Sequence, residues 1–380
     1  MQYRKFGQTD FQVSALGFGC MRLPVLEGDS GKIDETEAIR MIRHAIDQGV
    51  NYVDTAYFYH KGQSEIFVGK ALKDGYREKV KLATKLPAML VKTYDDFDRF
   101  LNEQLQKLDT DHIDFYLMHG LNQRSWDNIK NLGFERFLEK ALTDGRIRYV
   151  GFSFHDEYPV FKEIVDAYPW TFCQIQYNYM DTEIQAGAAG LKYAANKGMA
   201  LVIMEPIKGG KLAKNPPQSI KAIWDKLPVK RSPADWALRW VWNHPEVSVV
   251  LSGMSTMDQV EENLQTVETA GQNSLSAAEL SLIEQVKTAY NSMTKIDCTA
   301  CGYCQPCPSG VDIPRNFTLY NDANIYDDFP SSRFAYKQFM QPDARASACI
   351  ECGNCEEACP QHLTIRDYLK EVVKALETDA

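Results

Sequence analysis

The sequence predicts a closed (β/α)8 barrel, an α/β fold, followed by a small helical domain rich in cysteine. Short apolar runs alternate with longer runs of helical spacing, and this pair of patterns repeats eight times before residue 290. Strands that alternate with helices indicate a parallel sheet, and eight repeats favour its closure into a barrel. Eight of the ten cysteines lie between Cys298 and Cys359, which indicates a separate metal-binding region. We therefore assign residues 1–290 to the barrel and residues 291–380 to the second domain.

The elements follow one another in a regular order. Residues 1–12 hold Phe6 and Phe11 among polar residues, with a turn at Gly7, and predict a small hairpin. The predicted strands cover residues 13–19, 51–54, 80–85, 113–119, 147–152, 171–176, 199–204 and 247–251. The helices predicted after them cover residues 34–48, 64–72, 93–108, 133–143, 155–167, 184–196, 232–243 and 257–270.

Two further stretches lie outside the eight repeats, one of them a helix that bridges to the second domain. Residues 276–294 have the pattern of one more helix, and residues 209–230 are predicted to form a loop at the mouth of the barrel. An open doubly wound sheet is the alternative fold. The sequence has no Gly-x-Gly-x-x-Gly turn that would support it.

The composition is that of an ordinary globular protein. Apolar residues make up 44% and charged residues 24% of the chain, and the formal net charge is −9. An acidic balance argues against a nucleic-acid-binding surface. Because no apolar signal segment follows the N-terminus and no run could span a bilayer, we expect a cytoplasmic protein without membrane or nucleic-acid partners. In such a protein, clustered cysteines indicate metal ligands rather than disulfides.

Ionisable side chains follow three successive predicted strands. Asp54 ends the second strand with Tyr59 five residues later, Lys85 ends the third strand, and His119 ends the fourth. Because the C-terminal ends of parallel strands meet on one rim, we expect these four side chains to lie together. A phenol with a pKa of ~10 is a weak acid at neutral pH. The Lys85 ammonium would lower that pKa and Asp54 would hold the ammonium, while His119 would donate to a carbonyl oxygen or relay a proton.

The order of these residues and the motif DTAYFY at residues 54–59 resemble the aldo-keto reductases. The resemblance covers roughly residues 1–290. It implies that Tyr59 is the general acid, that Lys85 and Asp54 assist it, and that His119 orients the substrate carbonyl. It also implies a nicotinamide nucleotide bound across the rim as hydride donor.

The same resemblance implies where the nicotinamide half of the nucleotide is held. In the run QIQYN at residues 174–178, Tyr177 would stack on the nicotinamide and Gln174 would hold its carboxamide, together with Ser153. The family's asparagine after that serine is Phe154 here, and His155 is the candidate to replace it.

The phosphates and the adenine are assigned in the same way. Residues 204–212 resemble the pyrophosphate clasp of the family, with Lys208 or Lys211 as the cation. Residues 251–264 resemble its adenosine site, where a helix N-terminus offers free backbone N–H groups. The predicted nucleotide-binding residues are Cys20, Met21, Ser153, Gln174, Tyr177, Glu205, Pro206, Ile207, Lys208, Gly210, Gly253, Met254, Ser255, Gln259, Glu262 and Asn263.

Two of these assignments leave alternatives open. Members that prefer NADPH often carry a basic residue near the position of Ser255, and none lies there in this sequence, so both NADP(H) and NAD(H) are retained. Cys20 stands where the family usually has threonine beside the ribose, and a buried, inert thiol is the other interpretation.

The cysteines of the second domain form two runs, each followed by proline. The first run is spaced by three throughout, and the second is the C-x2-C-x2-C-x3-C-P signature of [4Fe–4S] ligation. The pair resembles two-cluster ferredoxins, which implies that Cys359 completes the first set and Cys307 the second. The stretch between the runs, with a helix-like segment at 332–340, resembles helical ferredoxin modules of quinone- and disulfide-linked reductases. The predicted ligands are Cys298, Cys301, Cys304, Cys307, Cys349, Cys352, Cys355 and Cys359, and zinc is the alternative metal.

We therefore expect an oxidoreductase that transfers a hydride between NAD(P)H and a carbonyl or alcohol. One or two [4Fe–4S] clusters would serve electron transfer or redox sensing. The expected partners are a small carbonyl compound and, for the clusters, a redox protein. The alternative function is a non-catalytic sensor or binding protein for the nicotinamide nucleotide with a structural metal-binding tail. A metal-dependent hydrolase is disfavoured because only His119 and His155 are placed as rim ligands.

Overall fold

The computed structural model describes residues 1–298, 302, 304–359 and 361–378. It divides into two compact units. The barrel unit comprises Met1–Lys214 and Arg231–Ala277, and the tail unit comprises Asn215–Lys230 and Ala278–Ala380.

The barrel unit contains ten strands, eight of which form a closed parallel barrel. The strands are β1 (Tyr3–Lys5), β2 (Gln12–Ser14), β3 (Leu16–Gly19), β4 (Tyr52–Asp54), β5 (Lys81–Leu86), β6 (Ile113–Leu121), β7 (Ile147–Phe154), β8 (Phe172–Gln176), β9 (Ala200–Met204) and β10 (Val247–Ser252). Strands β3 to β10 follow one another in chain order around the barrel, and β10 pairs with β3 to close it. The predicted (β/α)8 barrel is therefore confirmed, and the open-sheet alternative is wrong.

The described residues form fifteen α-helices, ten of which lie close to predicted positions. They are α1 (Glu35–Asp47), α2 (Ser64–Ala71), α3 (Asp95–Leu108), α4 (Gln123–Asn131), α5 (Phe134–Thr143), α6 (Tyr158–Ala167), α7 (Gly187–Asn196), α8 (Gln218–Trp224), α9 (Pro233–Trp242), α10 (Met257–Thr269), α11 (Ala277–Asn291), α12 (Ile313–Ile325), α13 (Phe329–Phe339), α14 (Asn354–Glu357) and α15 (Ile365–Val372). No helix of the described residues is long and apolar enough to cross a membrane.

Two predicted elements need correction, and one helix of the barrel unit was not predicted. The strand predicted at 13–19 is two strands, because Ser14 exchanges hydrogen bonds with Asn51 and its Oγ donates to the Leu16 carbonyl, which turns the chain between β2 and β3. Helix α4 was missed, although Asn122 and Ser125 form a capping box at its start. The segment predicted as a loop at 209–230 contains α8, and its residues 215–230 belong to the tail unit.

The end of the barrel opposite the strand C-termini is filled by aromatic rings. The hairpin of β1 and β2 carries Phe6, whose ring lies 4.4 Å from that of Phe115 and 5.4 Å from that of Phe172. Tyr52 stacks on Phe115 at 5.2 Å. Gly7 adopts a φ of +56° beside the backbone of Ala200, where a Cβ would come within 2.8 Å of the Ala200 nitrogen. This packed floor leaves the C-terminal ends of the strands as the open face, where barrels of this type carry their sites.

The tail unit has its own hydrophobic core. Phe317 of α12, Tyr336 of α13 and Leu369 of α15 are buried together. The Tyr336 hydroxyl lies 2.7 Å from Asn316 Oδ1 and accepts a hydrogen bond of 2.7 Å from the Ala346 N–H. Cysteines of both runs pack against this core, so the core holds the two cysteine-rich loops.

Candidate active site and cysteine cavities

The four side chains predicted to meet at the barrel rim do meet there. Lys85 Nζ donates to Asp54 Oδ1 at 2.6 Å, to the Thr55 carbonyl at 2.8 Å and to the Tyr59 hydroxyl at 3.3 Å. The Tyr59 and His119 rings are 6.1 Å apart and nearly perpendicular. Asp54 ends β4, whereas His119 lies inside β6, which continues to Leu121. The three protons of the ammonium are thus all directed to named acceptors, one of which is the phenol.

Burial and charge set the ionisation of this group. Burial lowers the pKa of Lys85, but Asp54 and Tyr59 more than offset it, and the pKa rises above its usual value. Burial raises the pKa of Tyr59, and Lys85 opposes this rise without cancelling it. The expected lowering of the phenol pKa by Lys85 therefore acts in the predicted direction but is outweighed. Burial, with Lys85 and His155, lowers the pKa of His119 to about 3, so His119 is neutral at physiological pH.

A buried polar network behind β5 holds Lys85 in place. Glu65 of α2 accepts hydrogen bonds from Thr84 at 2.7 Å and from the Gln104 side chain of α3. Gln104 also donates to the Lys85 carbonyl at 3.0 Å and accepts from the Tyr116 hydroxyl at 2.8 Å. This network joins α2, α3, β5 and β6 directly behind the ammonium. Sequence reasoning missed it, because the helical pattern gave no signal that Glu65 and Gln104 point inward.

A second missed residue fixes the loop that carries Tyr59. His60 is buried, its Nδ1 lies 2.7 Å from the Ser30 carbonyl, and its Nε2 accepts from the Leu23 N–H at 3.2 Å. His60 itself adopts a φ of +52°, a conformation that costs a non-glycine residue free energy. The two hydrogen bonds tie the Tyr59 loop to the loop after β3.

The group of Asp54, Tyr59, Lys85 and His119 borders a large cavity at the C-terminal ends of the strands. Its volume is about 620 Å³, and Asp54, Tyr59 and His119 lie in its wall. Thirteen of the sixteen predicted nucleotide-binding residues also line it. These are Met21, Ser153, Gln174, Glu205, Pro206, Ile207, Gly210, Gly253, Met254, Ser255, Gln259, Glu262 and Asn263.

The other three predicted residues lie outside the cavity lining. Cys20 is fully buried, and burial raises the pKa of its thiol, in keeping with the inert interpretation. Tyr177 is buried with its ring 5.1 Å from Trp240 and 5.2 Å from His244. Lys208 donates to both oxygens of buried Asp181, at 2.7 and 2.9 Å. Lys208 was expected to bind a phosphate, but its ammonium forms an ion pair with Asp181 instead.

The lining includes further residues, of which Arg22 was not indicated by the sequence. Met204 ends β9, and its sulfur accepts a hydrogen bond of 3.6 Å from the Gln174 amide. Arg22, from the loop after β3, lies beside Ser255, whose hydroxyl donates to the Arg22 carbonyl at 2.7 Å. His155 also lines the cavity. Arg22 and Ser255 are far apart in sequence, so no local pattern could have paired them.

The cavity has the features that a nicotinamide nucleotide needs. Gln174 Oε1 and His119 Nδ1 are buried and have no hydrogen-bond partner among the described residues. Helix α10 begins two residues after Ser255, next to the cavity wall, and a helix N-terminus suits a phosphate; Thr256 Oγ1 caps this end by accepting from the Gln259 N–H at 3.4 Å. Gln259 accepts from the Ser255 N–H at 2.8 Å, and Asn263 donates to Ser252 at 2.9 Å. The residues present therefore fit the nucleotide.

The tail unit brings the two cysteine runs together at two cavities. The first, of about 210 Å³, is lined by Cys307 of the first run with Cys349, Cys352 and Cys355 of the second, which we call the outer set. The second, of about 20 Å³, is lined by Cys298, Cys304 and Cys359, which we call the inner set. Cys304 also borders the first cavity. The predicted ligand Cys301 lies outside the described residues.

One cysteine of each run lies with the cysteines of the other run, as the resemblance to ferredoxins implies. Cys307 lies with the second run, and Cys359 lies with the first. Among the described residues, no three side chains of Cys, His, Asp or Glu converge closely enough to hold a single metal ion. The Glu351 N–H donates to Cys349 Sγ at 3.4 Å, a hydrogen bond of the kind that tunes clusters.

Comparisons with known proteins agree with this architecture. The model of the aldo/keto reductase family matches residues 15–287, and that of a 4Fe-4S dicluster domain matches residues 297–364. The chain is 28% identical over 294 residues to a probable aldo-keto reductase 1 of Glycine max, covering 68% of this chain and 82% of that protein. It is 28% identical over 312 residues to the uncharacterized oxidoreductase YrpG of Bacillus subtilis, covering 70% of this chain and 91% of that protein.

A solved structure gives the same result. The holo form of the aldo-keto reductase AKR11C1 from Bacillus halodurans is 31% identical, with a TM-score of 0.64, and the match covers 75% of this chain and 96% of that one. The chain therefore belongs to the aldo/keto reductase family, as an oxidoreductase barrel fused to a C-terminal 4Fe-4S dicluster domain.

Proposed function

We propose that the barrel reduces a small carbonyl compound with a hydride from a bound nicotinamide nucleotide, and that Tyr59 supplies the proton. One observation carries the proposal: the buried Lys85 ammonium donates to both Asp54 and the Tyr59 hydroxyl in the wall of a cavity of about 620 Å³. A general acid must lie within hydrogen-bond reach of its activating group and of the substrate, and this arrangement leaves the cavity side of the phenol for the substrate.

The bound nicotinamide would supply the hydride that forms the new C–H bond at the carbonyl carbon. Tyr59 donates its phenolic proton to the carbonyl oxygen, so the C=O bond becomes a single bond and the product is an alcohol. Lys85 stabilises the tyrosinate that remains, and Asp54 balances the charge of the buried Lys85. Neutral His119 donates a hydrogen bond to the carbonyl oxygen and orients it.

Different residues of the cavity lining would bind different parts of the nucleotide. Gln174 and Ser153 hold the carboxamide, and residues 205–210 with the start of α10 hold the phosphates. We retain both NADP(H) and NAD(H). Arg22 supplies a cation to this cavity, since its side chain lies beside Gly253 and its guanidinium lies beside Gly209.

The tail would carry one or two [4Fe–4S] clusters for electron transfer or redox sensing. The eight predicted cysteines supply the four thiolates that each cluster needs, with Cys307 and Cys359 exchanged between the runs. We place the boundary between the barrel and this domain at residue 290.

The proposal is tested by the variant Tyr59→Phe with Tyr57→Phe as its matched control. Tyr57 is in the same motif, but its hydroxyl donates to Glu103 at 3.2 Å and is not part of the cavity wall. We expect Tyr59→Phe to lower kcat for aldehyde reduction by about 10² to 10⁴ while NADPH or NADH still binds, as measured by fluorescence titration. The alternative, a non-catalytic sensor, predicts nucleotide binding without turnover in the unmodified protein.

A further inference from the structure

The two cysteine sets differ in their access to solvent. Cys352 of the outer set is exposed, and Ile350 beside it is 65% exposed. Cys359 of the inner set is buried in the core of the tail unit, and Cys298 and Cys304 are half-buried. Electron transfer between proteins requires a close approach of the two redox groups. Within the described residues, the outer set therefore offers the closer approach from solvent.

The rim of the outer cavity has the composition of a small protein interface. Ile350, Pro306 and Pro308 are exposed apolar residues that border the cavity. Around them lie two ion pairs, Glu351 with Lys370 at 2.9 Å and Glu356 with Arg366 at 2.7 Å. An apolar centre with a charged rim is the usual anatomy of such a contact. A transient electron-transfer contact needs less than about 1,200 Å² of buried surface.

The net charge of the C-terminal domain indicates which kind of partner protein would bind it. Residues 291–380 contain thirteen Asp and Glu against eight Lys and Arg, a net charge of −5. Beside the ligand-bearing turns of the outer set, Glu351 and Glu356 are paired with Lys370 and Arg366, and exposed Glu357 leaves an excess of one acidic charge. Since complementary charge steers association, a basic protein surface would approach this face fastest.

We propose that the surface formed by Pro306, Pro308, Ile350, Glu351 and Cys352, the docking face, binds a small basic one-electron carrier protein. In each encounter one electron passes between the group held by the outer set and the metal centre of the carrier. One of the two is oxidised and the other is reduced by one electron, and no bond forms or breaks. The inference rests on the proposed electron-transfer role of the tail and is independent of the Tyr59 chemistry.

Cytochrome c is a suitable probe because it is a small, basic one-electron carrier. The full-length holoprotein is reduced, and its oxidation by cytochrome c is followed by stopped flow. Binding is measured separately by amide shifts of ¹⁵N-labelled cytochrome c. We expect the rate to fall with rising ionic strength. We also expect Ile350→Lys to raise the Kd and to lower the rate about tenfold at low salt. Oxidation by a small neutral quinone should stay unchanged.

The matched control is Phe334→Lys, because Phe334 is 63% exposed on α13 and does not border either cavity. This variant should leave the Kd and the rate unchanged. Glu351→Lys provides a second probe of the docking face if Ile350→Lys loses iron. The proposal is overturned if cytochrome c binds with no salt dependence, if the variants of the docking face bind it as the unmodified protein does, or if Phe334→Lys weakens binding equally. Aldehyde reduction measured on the same samples separates this outcome from any failure of the barrel chemistry.

Discussion

At the scale of single residues, the Lys85–Asp54 pair determines the character of the site. Both side chains are almost fully buried, at 0% and 3% exposure. A buried ion pair contributes little net stability, because desolvation offsets the attraction, but removing one partner leaves the other charge uncompensated. The pair is therefore better explained by its function than by stability.

The first prediction concerns Lys85→Met. We expect it to destabilise the barrel by about 3–5 kcal/mol, since Asp54 remains buried without its counterion. The double variant Asp54→Asn/Lys85→Met should recover most of this stability but none of the activity. Thermal unfolding and aldehyde reduction measured on the same preparations check both parts. A double variant as unstable as Lys85→Met alone would show that the charge is not the cause.

The second prediction concerns pH and His119. The pKa of His119 in the folded state is about 3, below the usual value of ~6.5, so the unfolded chain binds the additional proton between these values. This contribution to stability is fully present above pH ~6.5 and is lost as the pH falls. The Tm of the unmodified protein should therefore fall more steeply than that of His119→Asn between pH 6.5 and about 4. Parallel pH profiles of the two proteins would contradict the burial of a neutral imidazole.

The positions of single residues were predictable to different extents. Asp54, Lys85 and His119 were predictable because the ends of parallel strands must meet on one rim. The pairing of Lys208 with Asp181 was not, since it joins two loops that only the folded barrel brings together. The same is true of Arg22 and Ser255.

At the scale of elements, helix α2 supports the site through its contact with α3. Gly69 of α2 faces the end of α3 so closely that an added Cβ would lie 2.8 Å from the carbonyl group of Leu108. Both helices contribute to the network behind Lys85, through Glu65 and Gln104. The spacing of these helices therefore affects the position of the ammonium.

The third prediction follows from this contact. Gly69→Ala should destabilise the barrel by about 1–3 kcal/mol, because backbone atoms rather than a flexible side chain must move. It should also lower kcat, since α2 carries Glu65. Gly271→Ala is the control, because its Cβ would meet Ser274 only at ordinary contact distance, 3.5 Å. Equal stabilities of the two variants in thermal unfolding would refute the argument.

Most elements were predictable from hydrophobic periodicity and cap residues, and the misses have local physical causes. Helix α13 begins before the predicted residue 332, because Asp328 caps it and accepts from the Ser331 N–H at 3.2 Å. Helix α4 was overlooked because the repeat of one helix per strand was taken as complete. Hydrophobic periodicity locates the repeated strands and helices well, but the repeat does not reveal an additional helix such as α4.

At the scale of the whole molecule, the chain joins an aldo/keto reductase barrel, for which we propose two-electron hydride transfer, to a 4Fe-4S domain, for which we propose one-electron steps. Among the described residues, the cysteine runs interlock within the tail core, with one cysteine of each run lying by the other. This arrangement would make cluster binding depend on the folding of both cysteine-rich loops together.

The fourth prediction tests whether one cysteine of each run is a ligand in the set of the other run. Single Cys→Ala variants should each retain about four of eight iron atoms if one cluster is lost. Cys359→Ala should then share its residual electron paramagnetic resonance spectrum with Cys298→Ala, and Cys307→Ala should share that of Cys355→Ala. If Cys359→Ala instead matches Cys355→Ala, the ligands are not exchanged between the runs.

The most direct test of the account is the origin of the hydrogen at the product carbon. An aldehyde is reduced by the full-length holoprotein with nicotinamide nucleotide deuterated at the transferable position, in ordinary water, and the product alcohol is examined by NMR. Direct hydride transfer with protonation by Tyr59 predicts one deuterium on the carbinol carbon of every product molecule. A product that carries only solvent hydrogen at that carbon would contradict the account.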